Sequence, residues 1–402
     1  MSDFCVVRQP VFSRDSELIG YEIRFRDTPE GRDNFAKSFL TGAFDNIRGD
    51  HQAFVPCADA HFLGQLVEIA NPKNTIPLIP PHVGSEPHVM DVLERYCLAG
   101  GQIALDQLTS TPNASDALLP YAHWVRIDVR LDDVEALAMT VGRARVNRDV
   151  LLIADHVYDP SQLAVARRLG FDAYEGSYFS RPEPLPRSDL PSSTISALRL
   201  MGQARDPNVQ DRALEDAISV DPVLTFQLLR IVNSASVGAR GVTSIGHALR
   251  LIGRNALLRW LAVAIAASRR GGTDLDAHLV RQAVERARLC EMLSGSGRDA
   301  GTLFLVGLFS LLDAVFRMPI EELVGRVALS DEARDALLER TGPYADALNF
   351  AESYELGLFE GAAEVAREMG VNPDKIGEIY AGALSWTSEI LEPLAADTGK
   401  AA

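Results

Sequence analysis

The sequence predicts a protein of two units, an α/β unit built as a β/α barrel and then an all-α unit. Three observations carry this. The chain has 402 residues, more than one hydrophobic core usually organises, so two units of roughly 200 residues each are expected. Residues 180–194 hold four prolines, which can continue neither a helix nor a central strand, and the boundary falls there. Ahead of it short apolar runs alternate with one-sided helical patterns, and behind it the pattern is helical almost throughout. The units are placed at 1–182 and 195–402, joined by a Pro-rich linker over 183–194.

In the first unit Val6 to Phe12 and Leu18 to Phe25 flank the short turn Ser13-Arg14-Asp15-Ser16, which reads as an opening hairpin. Five further runs read as strands: Ala53–Val55, Ile76–Ile79, Ile103–Asp106, Trp124–Asp128 and Leu151–Asp155. Between them Val89–Leu98 and Val134–Val146 space their apolar residues as helices with one buried face. Three of the runs end in aspartate, at Asp106, Asp128 and Asp155, and a β/α barrel gathers its functional groups at the C-terminal ends of its strands. Glu22 alternates with Ile19, Tyr21, Ile23 and Phe25, so it points to the opposite face from them, toward the same site. Each of these acids taken alone equally suits a loop start or a helix cap.

In the second unit Asp221-Pro222 supplies a cap and a first-turn proline ahead of Leu224, Leu228, Leu229 and Val232. Ser244 caps a helix carrying Ile245, Leu249 and Ile252 that ends at Gly253. Later helices are expected over 277–293, 301–316, 331–340 and 359–369.

Bulk properties exclude several classes of function. The first thirty residues are charged throughout, and the longest apolar run, Ala256 to Ala267, is interrupted by Arg259 and falls short of the roughly twenty residues a membrane span needs. A cytoplasmic protein with a buried helix there is expected. Cys5, Cys57, Cys97 and Cys290 show no paired spacing and read as small core residues rather than a disulfide or zinc framework. A net charge of −16 disfavours non-specific binding to nucleic acid. The acidic excess gathers toward the C-terminus, from Glu352 to Glu392, where it suits a basic partner as well as plain solubility.

The opening Arg8-Gln9-Pro10-Val11-Phe12, then Gly20-Tyr21-Glu22-Ile23-Arg24-Phe25-Arg26, resembles the start of EAL domains in bacterial EAL/HDOD signalling proteins. Trp124-Val125-Arg126-Ile127-Asp128 resembles their Lys-Ile-Asp segment, and Glu175-Gly176-Ser177-Tyr178-Phe179-Ser180-Arg181-Pro182 their terminal Gln-Gly-Tyr-Tyr-Phe-x-x-Pro. The resemblance implies a barrel, its completeness open, and a site that in active members hydrolyses cyclic di-GMP with two divalent cations on carboxylates and an asparagine. This sequence departs from that set repeatedly. Asp-Asp-Phe reads Asp106-Gln107-Leu108, the asparagine falls near Pro56-Cys57, and the next acidic segment is Leu78-Ile79-Pro80-Pro81. The lysine position reads Arg126, and Ala-Glu-Gly-Val-Glu reads Ala154-Asp155-His156-Val157-Tyr158. The remnant site, as possible ligand or metal contacts, is Glu22, Asp106, Arg126, Asp128, Asp155 and Glu175.

In the second unit Asp221-Pro222-Val223-Leu224, Leu228-Leu229-Arg230-Ile231-Val232-Asn233-Ser234 and Ser244-Ile245-Gly246-His247-Ala248-Leu249-Arg250-Leu251-Ile252-Gly253 resemble the HDOD domain. Its distant relatives, HD-type phosphohydrolases, hold metal with several histidines and a His-Asp pair. Here only His247 and His278 follow the linker and no His-Asp dipeptide exists, while the matching stretch, Gly307 to Asp313, offers Ser310, Leu311 and Leu312. Asp313 reads as structural, Asn233 and Ser234 as groups that satisfy a helix end, and His247 as a packing histidine.

The expectation is a regulatory protein without catalysis or resident cofactor, whose barrel senses a nucleotide or partner and whose HDOD helices meet another signalling protein. Specific nucleic acid and membrane are not expected as partners. Two alternatives stay open: a cyclic di-GMP phosphodiesterase with an unconventional site of Glu22, Asp106, Asp128 and Asp155, these acids holding one Mg²⁺ weakly through water, and a receptor that binds cyclic di-GMP through Arg24, Arg126 and Arg181 without cleaving it.

Overall fold

The computed structural model describes the chain except residues 1–4, 85, 87, 113, 131–132, 147–148, 181–191, 207, 234–241, 243, 269–272, 295–298, 326, 328 and 396–402. Residues 183–191 of the expected linker therefore lie outside the described residues, as do Arg181 and Ser234, while its last three residues, 192–194, already belong to a helix. The chain divides into two compact units, Met1–Arg181 with Thr273–Leu275 and Tyr354–Phe359, and the remainder from Pro182 onward.

The first unit is a closed barrel of eight strands in sequence order: β1 Val6–Ser13, β2 Leu18–Phe25, β3 Gln52–Pro56, β4 Thr75–Ile79, β5 Ala104–Leu105, β6 Trp124–Asp128, β7 Leu151–Asp155 and β8 Ala173–Glu175. β1 runs antiparallel to both its neighbours, β2 and β8, and the other pairs are parallel. The barrel is thus complete, closed by a three-residue β8 that the sequence reading did not take as a strand. β5 is also shorter than its apolar run, although Asp106 N–H still donates to Ile79 O at 2.9 Å beyond its end.

Alternation along the strands builds two layers. Val11, Phe54, Ile76, Leu78, Ala104, Trp124, Ile153 and Ala173 fill the barrel interior, while the opposite faces, among them Tyr21, Ile23, Val55, Val125 and Leu152, pack against the surrounding helices. One expectation fails here. Val11 pairs with Gly20 but Phe12 pairs with Leu18, so a bulge skips Ile19 and turns it onto the interior cluster, away from the face of Tyr21 and Ile23. Two glycines answer to close approach: a Cβ on Gly176, at φ +138°, would stand 2.1 Å from Val157 O, and one on Gly20 would stand 2.4 Å from Gln52 O.

The second unit is helical. Its described helices include Ser192–Arg205, Asp211–Ser219, Pro222–Val232, Asp274–Met292, Ala300–Phe309, Leu312–Phe316, Asp331–Leu338, Phe359–Glu368 and Ile376–Ala395. Ile245–Ser268 is broken at Gly253, whose φ of 73° and ψ of 171° end one helix and start the next, and the apolar stretch after the break is buried from Trp260 to Ala266. Asp221 accepts from Leu224 N–H at 3.2 Å and Ser244 Oγ from His247 N–H at 3.3 Å. Asn233 Nδ2 donates to Leu229 O at 2.7 Å and Val242 O at 2.8 Å, and its Oδ1 accepts from Val242 N–H at 2.9 Å, tying a helix end to a later segment. His247 is exposed rather than packed, because the buried stripe of Ile245, Ala248 and Leu249 leaves it on the other side of the helix. Cys5, Cys57 and Cys290 are buried and Cys97 is partly so, all four as free thiols.

Candidate functional site

The polar groups at the barrel mouth follow from the register of the apolar plug beneath them. Ala104, Trp124, Ile153 and Ala173 face inward, and two residues further along each strand direction stand Asp106, Arg126, Asp155 and Glu175. Glu22 pairs with the interior Phe54 and joins the same layer. All five are buried.

Arg126 is the centre of this layer. Its Nε and Nη2 donate to the two oxygens of Asp106 at 2.8 and 2.9 Å, a bidentate pair, and its Nη1 donates to Glu22 Oε1 at 2.6 Å. The same guanidinium lies 3.5 Å from Glu175 Oε2 and 3.7 Å from Asp155 Oδ2. Four carboxyl groups thus converge on one internal cation. A second, Arg24, caps them: its Nε donates to Glu22 Oε2 at 2.6 Å and its Nη2 to Glu175 Oε1 at 3.2 Å. Burial works against charge on both guanidinium groups, yet the surrounding acids outweigh it and raise both above their ordinary value.

The two glutamates respond in opposite directions. Burial pushes Glu22 up, but Arg126 and Arg24 more than offset it and hold the carboxyl well below its ordinary range. Burial and the neighbouring carboxyls of Glu22 and Asp155 push Glu175 well above that range, so of the hydrogen-bonded pair it is Glu175 that keeps a proton.

Asp106 and Asp155 share a second device. Each accepts from the N–H of the following residue, Gln107 at 2.9 Å and His156 at 2.6 Å, and each follower is left-handed, at φ 52° and 59°. Such backbone is uncommon for residues other than glycine and gathers at functional sites.

Asp128 stands apart from the central group. It is one step further up β6 than Arg126 and turns to Arg130, accepting from that residue's N–H at 2.9 Å and from its Nη2 at 2.8 Å. Burial raises its carboxyl, and Arg130 outweighs that and lowers it. His156 Nδ1 lies 2.9 Å from Asp155 Oδ2 and 3.3 Å from Asp128 Oδ2, bridging the two regions. Arg130, whose guanidinium lies over the Tyr158 ring at 5.7 Å, belongs to the mouth but carried no signal in the sequence, being a loop residue outside every quoted motif. Arg24, named as a phosphate contact in the receptor alternative, is directed at Glu22 and Glu175.

The residues do not fit a pair of divalent cations. Magnesium holds oxygen ligands at about 2.0–2.1 Å and needs the space they surround. Here that space is filled by a guanidinium that keeps its proton in proteins.

The stretch from Gly307 to Asp313 in the second unit is also organised by arginine. Buried Arg286 Nη1 donates to Ser310 Oγ at 3.0 Å and lies 3.3 Å from Glu352 Oε1, while Ser310 Oγ donates to Gly307 O at 2.7 Å. Asp313 accepts from Ala314 N–H at 2.7 Å, and burial raises its carboxyl.

An eight-stranded barrel with acids at its C-terminal mouth, followed by a helical unit, defines the class. Residues 190–319 match the HDOD domain family, so the helical unit carries an HDOD domain. It is 24% identical to the uncharacterized protein YuxH of Bacillus subtilis, over 96% of this chain and 98% of that protein. It is 26% identical to the cyclic di-GMP phosphodiesterase CdgJ of Vibrio cholerae, over 96% of this chain and 92% of that protein. Among solved structures, an EAL domain protein from Listeria monocytogenes aligns at a TM-score of 0.36 and 15% identity, over 44% of this chain and 87% of that one. A standalone EAL protein from Vibrio cholerae with cyclic di-GMP bound aligns at a TM-score of 0.36 and 16% identity, over 44% and 91%. Among the described residues no helix is long and apolar enough to cross a membrane.

Proposed function

We propose that the protein is a non-catalytic regulator in cyclic di-GMP-related signalling, its barrel serving as a sensor or interaction module and its HDOD domain as the output toward a protein partner. The observation that carries this reading is the guanidinium of Arg126, hydrogen-bonded to Asp106 and Glu22 and within 4 Å of Glu175 and Asp155. Two-metal phosphodiester hydrolysis needs such oxygens open to two ions that hold the attacking and leaving oxygens together. In this barrel the oxygens face an arginine. The link to cyclic di-GMP is supported by the name of the Vibrio cholerae relative and by the motifs at both ends of the barrel.

The reading is tested by incubating the purified chain with cyclic di-GMP and either Mg²⁺ or Mn²⁺, titrating heat of binding and then analysing the same sample for linear dinucleotide. No cleavage is expected. Cleavage that Glu22→Ala stops would overturn the non-catalytic reading in favour of a phosphodiesterase. Binding without cleavage would make the sensed ligand cyclic di-GMP itself, and no heat at micromolar nucleotide would direct the search to protein partners.

A further inference from the structure

We infer that the segment Tyr354–Phe359 is a strap latched to the barrel mouth through Arg24. The latch holds only while Glu22 and Glu175 orient that guanidinium, so an anionic ligand that turns Arg24 away at the mouth loosens the strap. The segment belongs to the barrel unit although it follows β8 only after most of the second unit's sequence. It is the turn between the helices Ala345–Glu355 and Phe359–Glu368, whose other residues belong to the second unit. The last carbonyls of a helix have no partner within it and carry partial negative charge, so a donor or cation beside them is favourable. At the end of Ala345–Glu355 the carbonyl of Glu355 accepts from Gln9 Nε2 at 3.2 Å, and that of Leu356 accepts from Arg24 Nη1 at 3.3 Å. Buried Tyr354 donates its hydroxyl to Val6 O at 3.3 Å, and its ring meets that of Phe359 edge to face at 5.3 Å. Gly357 permits the close approach: at φ 75° it is left-handed, and a Cβ there would stand 3.2 Å from Arg24 Cδ.

Arg24 is therefore shared between the mouth and the strap. Its Nε donates to Glu22 at 2.6 Å and its Nη2 to Glu175 at 3.2 Å, and these two bonds fix the direction in which Nη1 points. A guanidinium is planar and rigid, so it cannot follow a new acceptor with one edge and keep the directions of the others. Leu356 O is uncharged and makes the longest of the three bonds, which makes it the partner given up first. The strap is continuous at both ends with helices of the second unit, so its release passes into them along the chain itself. This inference deepens the reading of the barrel as sensor and the helical unit as output, and rests on it for the direction of the signal.

The test is hydrogen exchange of the full chain without added ligand, read on peptides covering Tyr354–Phe359 and, as an internal reference, on β3 and β4. Arg24→Gln is expected to speed exchange of the strap amides about tenfold, as the loss of a hydrogen bond from a charged group should, and to leave β3 and β4 at wild-type rates. Arg24→Lys, which keeps the positive charge should Arg24→Gln not fold, is expected to speed them by a smaller factor. Glu22→Gln changes the mouth alone, and by taking the ionic anchor from Arg24 Nε it is expected to speed the strap at least about twofold relative to β3 and β4. Wild-type strap rates in a folded Arg24 variant or in Glu22→Gln would overturn the inference, as would a rise of the same factor in β3 and β4, which is general loosening. Either result leaves the non-catalytic reading standing, whereas cleavage of cyclic di-GMP would sink that reading and leave the exchange result untouched.

Discussion

Replacing Arg126 with methionine isolates what the internal cation contributes. The substitution keeps an unbranched stem of similar length and removes the group that touches Asp106, Glu22, Glu175 and Asp155 together. Breaking a buried ion pair by deleting one partner costs roughly 3–5 kcal/mol, because the remaining charge stays buried without compensation. Arg24 still serves Glu22, so the loss falls mainly on Asp106, and about 4 kcal/mol is expected. For a unit of this size that corresponds to a melting shift of about 8–16 °C. Two units need not melt together, so the suitable assay is hydrogen exchange of peptides from β6 and β7, read as local opening free energy. Asp106→Asn completes a double-mutant cycle, and the pair should show a coupling of about 1–3 kcal/mol. The penalty should also depend on pH. In the wild type the Glu22 carboxyl is depressed, so its contribution is present above the ordinary glutamate range and fades as pH falls through its lower folded value. The difference between wild type and variant should accordingly be largest above about pH 5 and shrink on acidification. A penalty under about 1 kcal/mol at neutral pH, or strictly additive single changes, would refute the view that Arg126 holds this layer together.

Glu175→Gln should stabilise the barrel at neutral pH: the raised carboxyl favours folding while both states are protonated and loses that advantage as pH climbs through its folded value, whereas glutamine titrates nowhere. A denaturation series should show no difference at about pH 4 and a growing gain toward pH 7, and a flat or falling difference would contradict the assignment of the shared proton to Glu175. In the HDOD domain Asn233→Ala removes both donors and the acceptor that join Leu229 and Val242, and because the residue is exposed the cost should be only about 1–2 kcal/mol. Asn233→Asp keeps the acceptor for Val242 N–H alone and should fall between the two, as measured by exchange of that amide.

Part of the central site was legible. Asp106, Asp128 and Asp155 could be placed at the barrel mouth because each ends a strand-like run, Arg126 and Glu175 followed from the resemblance, and Glu22 followed from strand alternation in β2, which is a rigid rule. Where the rule was locally broken the reading failed: the bulge at Ile19 moved one side chain to the other face, and the adjacent Gly20 was not read as its mark. β8 escaped notice since three residues give no period to detect, and Arg130 since a loop residue two positions beyond Asp128 has no pattern at all. His247 was misjudged for the opposite reason. It sits among apolar residues in sequence, but Ile245, Ala248 and Leu249 define the buried stripe and leave it outside.

A buried ionic layer above an apolar plug needs a reason, because an apolar layer of the same volume is often as stable or more so. Extending the plug of Phe54, Leu78, Trp124 and Ile153 by one more apolar layer would have closed this barrel equally well. What an apolar layer cannot do is fix which groups meet across the opening. Arg126 on β6 reaches Asp106 at the end of the adjacent β5 with two donors and Glu22 on the distant β2 with a third, so one side chain spans the mouth and sets the separation of strands that share no ladder. Arginine does this with one planar group whose forked donors pair Asp106 side-on and still reach Glu22, a geometry that a lysine ammonium does not reproduce.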